Sequence, residues 1–325
     1  MRAVVVEAHG GPEVLQVREV PDPEPGPGEL LVAVAAAGVN FIDAYQRSGL
    51  YPMELPFVCG SEGAGVVRGV GEGVTEFAEG DVVAWAMLAG TGYAELALVP
   101  AARAVPVPEG VALETAAAVM LQGMTAHFLC ESTFPARAGQ TALVHAAAGG
   151  LGLLLTQMLT RKGVRVIGTT STDEKEQLAR GAGAAEVVRY TEVDVVAEVS
   201  RLTDGRGVDV VYDGVGRTTF DAGLQVLVPR GMMVLFGASS GPVPPVDPQR
   251  LNRGGSLFLT RPSLAHYILT REELLDRSGA VLGQVAAGHL DVRVGGRYSL
   301  DAASRAHEDL EGRRTTGKLL VVPTL

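Results

Sequence analysis

A chain of 325 residues that is 47% hydrophobic and 20% charged has material for two packed cores and is too apolar to be disordered. Its 27 basic residues against 37 acidic ones leave a net charge of −10, which disfavours nucleic-acid backbones and anionic membranes as general partners. Cys59 and Cys130 belong to no CxxC pair, which excludes a disulfide framework and a four-cysteine zinc knot. The opening apolar run Ala3–Val6 is too short for a signal peptide or a membrane span, so the cytoplasm is the expected compartment.

Residues 1–122 hold short β-type runs: Ala3–Val6, Leu15–Val20, Leu30–Ala35, Ala64–Val70, Val82–Trp85 and Tyr93–Val99. Gly- and Pro-rich turns separate them, above all Pro21–Gly28 and Gly71-Glu72-Gly73. Many short strands with such punctuation predict a β-barrel-like domain. Residues 123–261 change rhythm. Strands at Thr141–Ala147, Val164–Thr169, Glu186–Arg189, Val208–Tyr212, Met232–Phe236 and Ser256–Thr260 alternate with helices at Gly149–Lys162, Thr172–Arg180, Val193–Leu202 and Thr218–Val228. This alternation predicts an α/β, doubly wound parallel sheet of the Rossmann type. Residues 262–325 read as helix Arg271–Ala287, strand Arg293–Tyr298, helix Asp301–Leu310 and strand Leu319–Val322. That tail is too short for a core of its own and is expected to rejoin the first domain.

The most informative segment is His145-Ala146-Ala147-Ala148-Gly149-Gly150-Leu151-Gly152. It follows an apolar strand and opens a helix, the context a dinucleotide pyrophosphate requires. Glycines let the backbone approach the anion, and the helix N-terminus offers free N–H groups to it. Ala148, Gly149, Gly150, Leu151 and Gly152 are therefore cofactor-binding candidates. Ala146 stands where the first Gly of GxGxxG would be. At the end of the next strand, Thr170-Ser171-Thr172 and Lys175 replace the acidic residue that would hold an NAD ribose. Small hydroxyls plus a cation suit a 2′-phosphate, hence NADPH. Lys175 also reads as an ordinary surface lysine, and Asp173 and Glu174 suit the first turn of a helix.

Asn40-Phe41-Ile42-Asp43-Ala44-Tyr45-Gln46-Arg47-Ser48-Gly49-Leu50-Tyr51-Pro52 resembles the NxxDxYxRxGxYP segment of the zinc-independent quinone oxidoreductases, the NADPH:quinone reductases of the medium-chain dehydrogenase/reductase superfamily. Gly60–Gly65, His145–Gly152, Val211–Gly216, Phe236-Gly237 and Leu259–Leu264 match in the same order, so the resemblance covers essentially the whole chain. It implies a GroES-like β-barrel catalytic domain from 1–122 plus 262–325, a Rossmann NADPH-binding domain from 123–261, an active site in the cleft between them, and a homodimer. It implies further cofactor contacts at Asn40, Thr125, Ser171, Lys175, Tyr190, Gly216, Phe236, Gly237 and Lys318. The family often carries Lys near position 122, where this chain has Gln122.

The zinc-dependent relatives place Cys where Asn40 stands and His where Ser61 stands. Asn and Ser are poor zinc ligands, and Ile42 replaces the proton-relaying hydroxyl. No metal is expected. Quinone reduction suits such a site, because the acceptor is electron-poor and its product oxyanion is delocalised, so alignment supplies most of the catalysis. Asn40 is a candidate hydrogen-bond donor to a substrate carbonyl or to the nicotinamide side, and equally a cap for a helix beginning near Ile42. Tyr45 and Tyr51 are candidates for ring packing or for proton supply through a phenol, and equally for core or lid packing.

Gly237-Ala238-Ser239-Ser240-Gly241 matches the nucleophile elbow GxSxG, but Pro242, Pro244 and Pro245 deny it the helix an elbow needs. His145 reads either as a group near the cofactor or as a satisfied buried histidine. Three functions are consistent with these features: a quinone reductase, a reductase of an enone or enoyl carbon–carbon double bond, and an NADPH-binding sensor or nucleic-acid-binding protein. The charge of −10 argues against the last.

Overall fold

The computed structural model describes residues 1–325, which form two compact units, Met1–Met124 with Tyr267–Leu325 and Thr125–His266. The sequence divides the chain at 122/123 and 261/262. The first division falls inside a continuous helix, Leu113–Phe128, which runs through Gly123 without a break.

The first unit opens with β1 (Arg2–Val6), β2 (Leu15–Glu19), β3 (Glu29–Val39), α1 (Phe41–Arg47), β4 (Phe57–Val58), β5 (Glu62–Val70), β6 (Val82–Ala86), β7 (Leu96–Pro100), β8 (Val105–Pro106) and α2 (Leu113–Phe128). In the long strand β3 the side chains alternate about the sheet, with Leu30, Val32, Val34 and Ala36 buried. β3 pairs antiparallel with β5, and β7 pairs with its first residues, Glu29–Ala33.

The second unit contains β9 (Thr141–Val144), α3 (Gly150–Arg161), β10 (Arg165–Thr170), α4 (Asp173–Gly181), β11 (Glu186–Arg189), α5 (Val195–Leu202), β12 (Val208–Asp213), α6 (Phe220–Gln225), β13 (Leu227–Leu235), α7 (Gln249–Arg253) and β14 (Phe258–Thr260). All strands are parallel, in the order β11-β10-β9-β12-β13-β14. Chain order therefore reverses beside β9, the switch point where doubly wound sheets bind ligands beyond the strands' carboxyl ends. One expectation needs correction. β13 is an inner strand that starts at Leu227, which shortens the helix expected at Thr218–Val228 to Phe220–Gln225. The edges of the sheet are β11 and β14. The segment that follows β13 ends in the short helix α7.

The chain then returns to the first unit as α8 (Arg271–Ala286), β15 (Val294–Tyr298), α9 (Ala303–Glu311) and β16 (Lys318–Val321). β16 runs antiparallel to the last residues of β3, Leu319 opposite Val39 and Val321 opposite Ala37. One apolar core under β3 gathers Val32, Val34, Val39, Trp85, Tyr93, Ala306, Leu319 and Val321.

Candidate active site

In the second unit, the turn after β9 is built for close approach of an anion. Ala146 adopts φ +53°, a left-handed conformation that would suit glycine better and costs a non-glycine residue on the order of 1 kcal/mol. This is the position where the first Gly of GxGxxG was missing. The Ala146 carbonyl accepts the Gly149 N–H at 2.9 Å, closing the turn. A Cβ at Gly152 would lie 2.8 Å from Ala147 Cα as well as against the Ala146 carbonyl, so only glycine lets α3 pack this near the strand end. The N–H groups of Gly150, Leu151 and Gly152 open α3 and have no acceptor within the helix.

The loops after β12 and β13 are tied together. The buried carboxylate of Asp213 accepts the N–H groups of Val215 at 2.7 Å and Gly216 at 3.0 Å and the Thr219 hydroxyl at 2.8 Å. Gly216 has φ +89°. A Cβ at Gly237 would sit 2.9 Å from Gly214 Cα, and Arg261 donates to the Phe236 carbonyl at 2.9 Å. Thr125 is buried in α2. Ser239 is the middle of the elbow-like motif, and no helix follows it directly, so the turn of a nucleophile elbow is absent. Its neighbour Ser240 staples the loop, donating to the Val215 carbonyl at 2.7 Å and accepting the Thr218 N–H.

Beyond β10, Thr172 caps α4 by accepting the Lys175 N–H, and Thr191 donates to the Ser171 carbonyl. Lys175 is half-buried, while Tyr190 is 44% exposed and fixed by its own N–H to Thr170 O at 3.2 Å. The structure adds a cation that the sequence reading missed. Arg189 lies opposite Thr170 in the parallel pairing of β10 and β11 and is held by Asp173, by Glu192 at 2.5 Å and by Glu176 at 3.7 Å. Its place as the last residue of a predicted strand, next to Tyr190, was the available signal. His145 is only half satisfied: Nδ1 meets Thr169 Oγ1 at 3.1 Å, while the buried Nε2 has no partner. Burial lowers its pKa, against the pull of Asp213.

In the first unit, Asn40 lies between β3 and α1, and its side chain meets two other buried side chains. Lys318 Nζ donates to Glu62 Oε2 at 2.6 Å and to Asn40 Oδ1 at 2.7 Å. Asn40 Nδ2 donates to the same Glu62 oxygen at 2.7 Å and to Gly38 O at 3.2 Å. Glu62 Oε1 accepts the Leu121 N–H at 2.6 Å. Glu62 is 0% and Lys318 1% exposed. Both amide hydrogens of Asn40 are committed, and the Asp43 N–H goes to the Asn40 carbonyl, so the Asn40 side chain turns to this trio.

A second buried chain ends on Asp43. Its Oδ2 accepts the Asn40 N–H at 2.9 Å and the Tyr93 hydroxyl at 3.3 Å, and Oδ1 accepts the Ser61 hydroxyl at 2.9 Å. The Tyr93 hydroxyl in turn meets His307 Nε2 at 3.0 Å, and Arg47 donates to His307 Nδ1 at 3.0 Å and to both Glu311 oxygens. The donors fix the tautomer: Nδ1 accepts from Arg47, so Nε2–H donates to Tyr93. Burial pushes Asp43 up to about 7, opposed by the Ser61 and Asn40 hydrogen bonds and the Lys318 charge. Burial, aided by the Arg47 charge, pushes His307 down to about 3.

On the same helix α1, the Tyr45 ring lies 5.2 Å from that of Tyr51 and 6.1 Å from that of Phe41. Tyr45 is half-buried and Tyr51 exposed, with Leu50 and Leu55 also exposed in the following loop.

Comparison with known proteins gives this geometry a family. Residues 26–109 match the alcohol dehydrogenase GroES-like domain and residues 150–276 the zinc-binding dehydrogenase model. The chain is 45% identical to a quinone oxidoreductase of Pseudomonas aeruginosa over 97% of this chain and 98% of that protein. It belongs to the quinone oxidoreductases of the medium-chain dehydrogenase/reductase superfamily. A mycobacterial protein solved in complex with NADPH superposes with a TM-score of 0.96 at 51% identity, covering 99% of this chain and 100% of that one. A 2-haloacrylate reductase of a Burkholderia species is 38% identical over 99% of this chain and 98% of its own length.

The zinc in the second model's description does not fit the donors present in this chain. No three His, Cys, Asp or Glu side chains are grouped so that they could hold a metal ion. Glu62 has both oxygens filled by an ammonium and two N–H donors, and Ser61 faces Asp43 and Gln46. NADPH does fit: the α3 turn cannot take the side chain that Gly152 lacks, and its leading N–H groups are open to a pyrophosphate.

Proposed function

We propose that this protein is a metal-independent, NADPH-dependent oxidoreductase that reduces a quinone. The observation that carries it is the Ala146–Gly152 turn at the N-terminus of α3, placed at the switch point of a sheet ordered β11-β10-β9-β12-β13-β14. Gly150, Leu151 and Gly152 bind the pyrophosphate through their N–H groups, with Ala148 and Gly149 shaping the turn. Gly216, Phe236, Gly237 and Thr125 complete the nucleotide seat. Ser171, Lys175, Arg189 and Tyr190 select the adenosine 2′-phosphate; cations and a hydroxyl near one strand end suit a doubly charged group.

The bound cofactor supplies a hydride. The residues of this chain supply alignment and electrostatics. Phe41, Tyr45 and Tyr51 offer aromatic faces on which a flat acceptor ring packs. The Asn40–Glu62–Lys318 trio holds the start of α1, and with it Tyr45, in one position. A second reading, reduction of a carbon–carbon double bond conjugated to a carbonyl, is favoured by the similarity to the 2-haloacrylate reductase and uses the same residues.

We further propose a homodimer formed through β14, a sheet edge whose Phe258 is 55% exposed, since an unpaired edge invites a second copy. No helix is long and apolar enough to cross a membrane. Steady-state turnover with NADPH and NADH against 1,4-benzoquinone and a cyclic enone tests the assignment. Rapid NADPH oxidation by the quinone is expected, with NADH far poorer. Binding of NADPH with no turnover of either acceptor, or tight binding of RNA, would replace an enzyme by a sensor.

A further inference from the structure

We infer that Lys318 is the fixed positive charge that stabilises the oxyanion formed when the acceptor takes up hydride. This rests on the proposed reductase activity and goes beyond it by naming the group that replaces a metal cation. The charge is built in. Lys318 comes from β16 and Glu62 from β5, and both reach the last residues of β3. They meet over Gly38, where a Cβ would lie 2.6 Å from Lys318 Cε and 2.7 Å from the Glu62 carboxyl carbon. Gly38 has an ordinary extended backbone within β3, so its missing side chain serves to clear space for the ion pair.

Within the trio only one polar hydrogen is left to give. Asn40 spends both amide hydrogens on Gly38 O and Glu62, and Leu121 N–H is on Glu62. The ammonium uses two of its three protons, on Glu62 and Asn40. An oxyanion brought to this end of β3 therefore meets Lys318 as its donor, not Asn40. Glu62 cannot cancel the effect fully. Its two oxygens accept three donors, which holds the carboxylate in place and leaves the third ammonium hydrogen uncommitted. Burial at 1% exposure keeps that field from being screened by water, and the charge needs no reorganisation as the reaction proceeds. The oxyanion is the hydroquinone monoanion, or the enolate in the second reading. The hydride brings both electrons from the reduced nicotinamide, and the oxygen afterwards takes one proton from solvent.

The test uses Lys318→Met and the double variant Glu62→Gln/Lys318→Met, in which both buried charges leave together and the amide introduced at position 62 can replace the lost donor to Asn40. Two readouts are taken on the full-length protein. The first is kcat with 1,4-benzoquinone beside the Kd for NADPH. The second, independent of turnover, is the absorbance titration of 4-nitrophenol, a phenol whose ionised form mimics the oxyanion, in the protein loaded with NADP+. We expect kcat to fall about 100-fold in both variants, the scale for losing one oxyanion donor, with the NADPH Kd changed less than about twofold. We expect 4-nitrophenol to ionise at lower pH on the wild type than in water, and this shift to vanish in both variants.

Recovery of kcat in the double variant would reduce Lys318 to a counter-ion for Glu62 and overturn the inference. A raised NADPH Kd with kcat intact at saturation would make Lys318 a cofactor contact and overturn it too. If Lys318→Met fails to fold, the double variant decides. If the wild type shifts the 4-nitrophenol titration but turns over no quinone, the functional reading fails while the charge assignment stands; no shift on the wild type refutes the assignment itself.

Discussion

Asp43 and His307 lie on opposite sides of the Tyr93 hydroxyl and titrate in opposite senses, which makes their pH dependence separable. Asp43 is raised from 3.8 to about 7, by burial first. A carboxyl that holds its proton more tightly when folded contributes stability that is complete below about pH 3.8 and is lost as pH rises through about 7. His307 is lowered from 6.5 to about 3, again by burial first. Its contribution is complete above about pH 6.5 and is lost as pH falls towards 3. Between about pH 3.8 and 6.5 the two slopes, each about 1.4 kcal/mol per pH unit, nearly cancel in the wild type. Asp43→Asn removes one slope, so its stability relative to wild type should climb by roughly 3 kcal/mol across that window. His307→Gln removes the other, so its relative stability should fall over the same range. Urea unfolding at half-unit pH steps measures both. Difference profiles that are flat, or that run in the same direction for the two variants, would refute the reading of this chain of buried groups.

Three other substitutions probe the nucleotide and ring sites. Lys175→Ala should raise KM for NADPH at least tenfold while leaving KM for NADH within about twofold, as expected for one charge-assisted phosphate contact; equal losses would deny the 2′-phosphate role. Gly152→Ala should lower the Tm by several degrees and abolish NADPH binding, because the added Cβ meets Ala147 Cα at 2.8 Å; a variant that binds normally would remove the turn from the site. Tyr45→Phe keeps the ring and deletes the phenol: unchanged kcat is the expected result if Tyr45 only packs on the acceptor, and a drop of about 100-fold would make it the proton donor.

The nucleotide half of the molecule was legible because it is local. Strand, glycine turn and helix follow one another within residues 141–161, and β-branched runs separated by amphipathic helices announced the parallel sheet. Arg189 was less visible, since its value depends on the pairing that sets it opposite Thr170. The first unit hid its chemistry in contacts between distant parts of the chain. Glu62 and Lys318 are 256 positions apart, and Tyr93 and His307 are 214 apart. A lysine opening the apolar run Leu319–Val322 and a glycine within the strand Ala35-Ala36-Ala37-Gly38-Val39 were the signals available. Asn40 was read as a donor to substrate or to the nicotinamide side, or as a helix cap, because sequence shows a residue's hydrogen-bonding capacity and not how neighbours consume it.

Whether the reductase needs a metal is decided by following NADPH oxidation by 1,4-benzoquinone after exhaustive dialysis against a chelator, with and without added zinc. The same rate is expected in both samples, with no bound zinc by elemental analysis. Activity lost on chelation and restored by stoichiometric zinc would contradict metal independence.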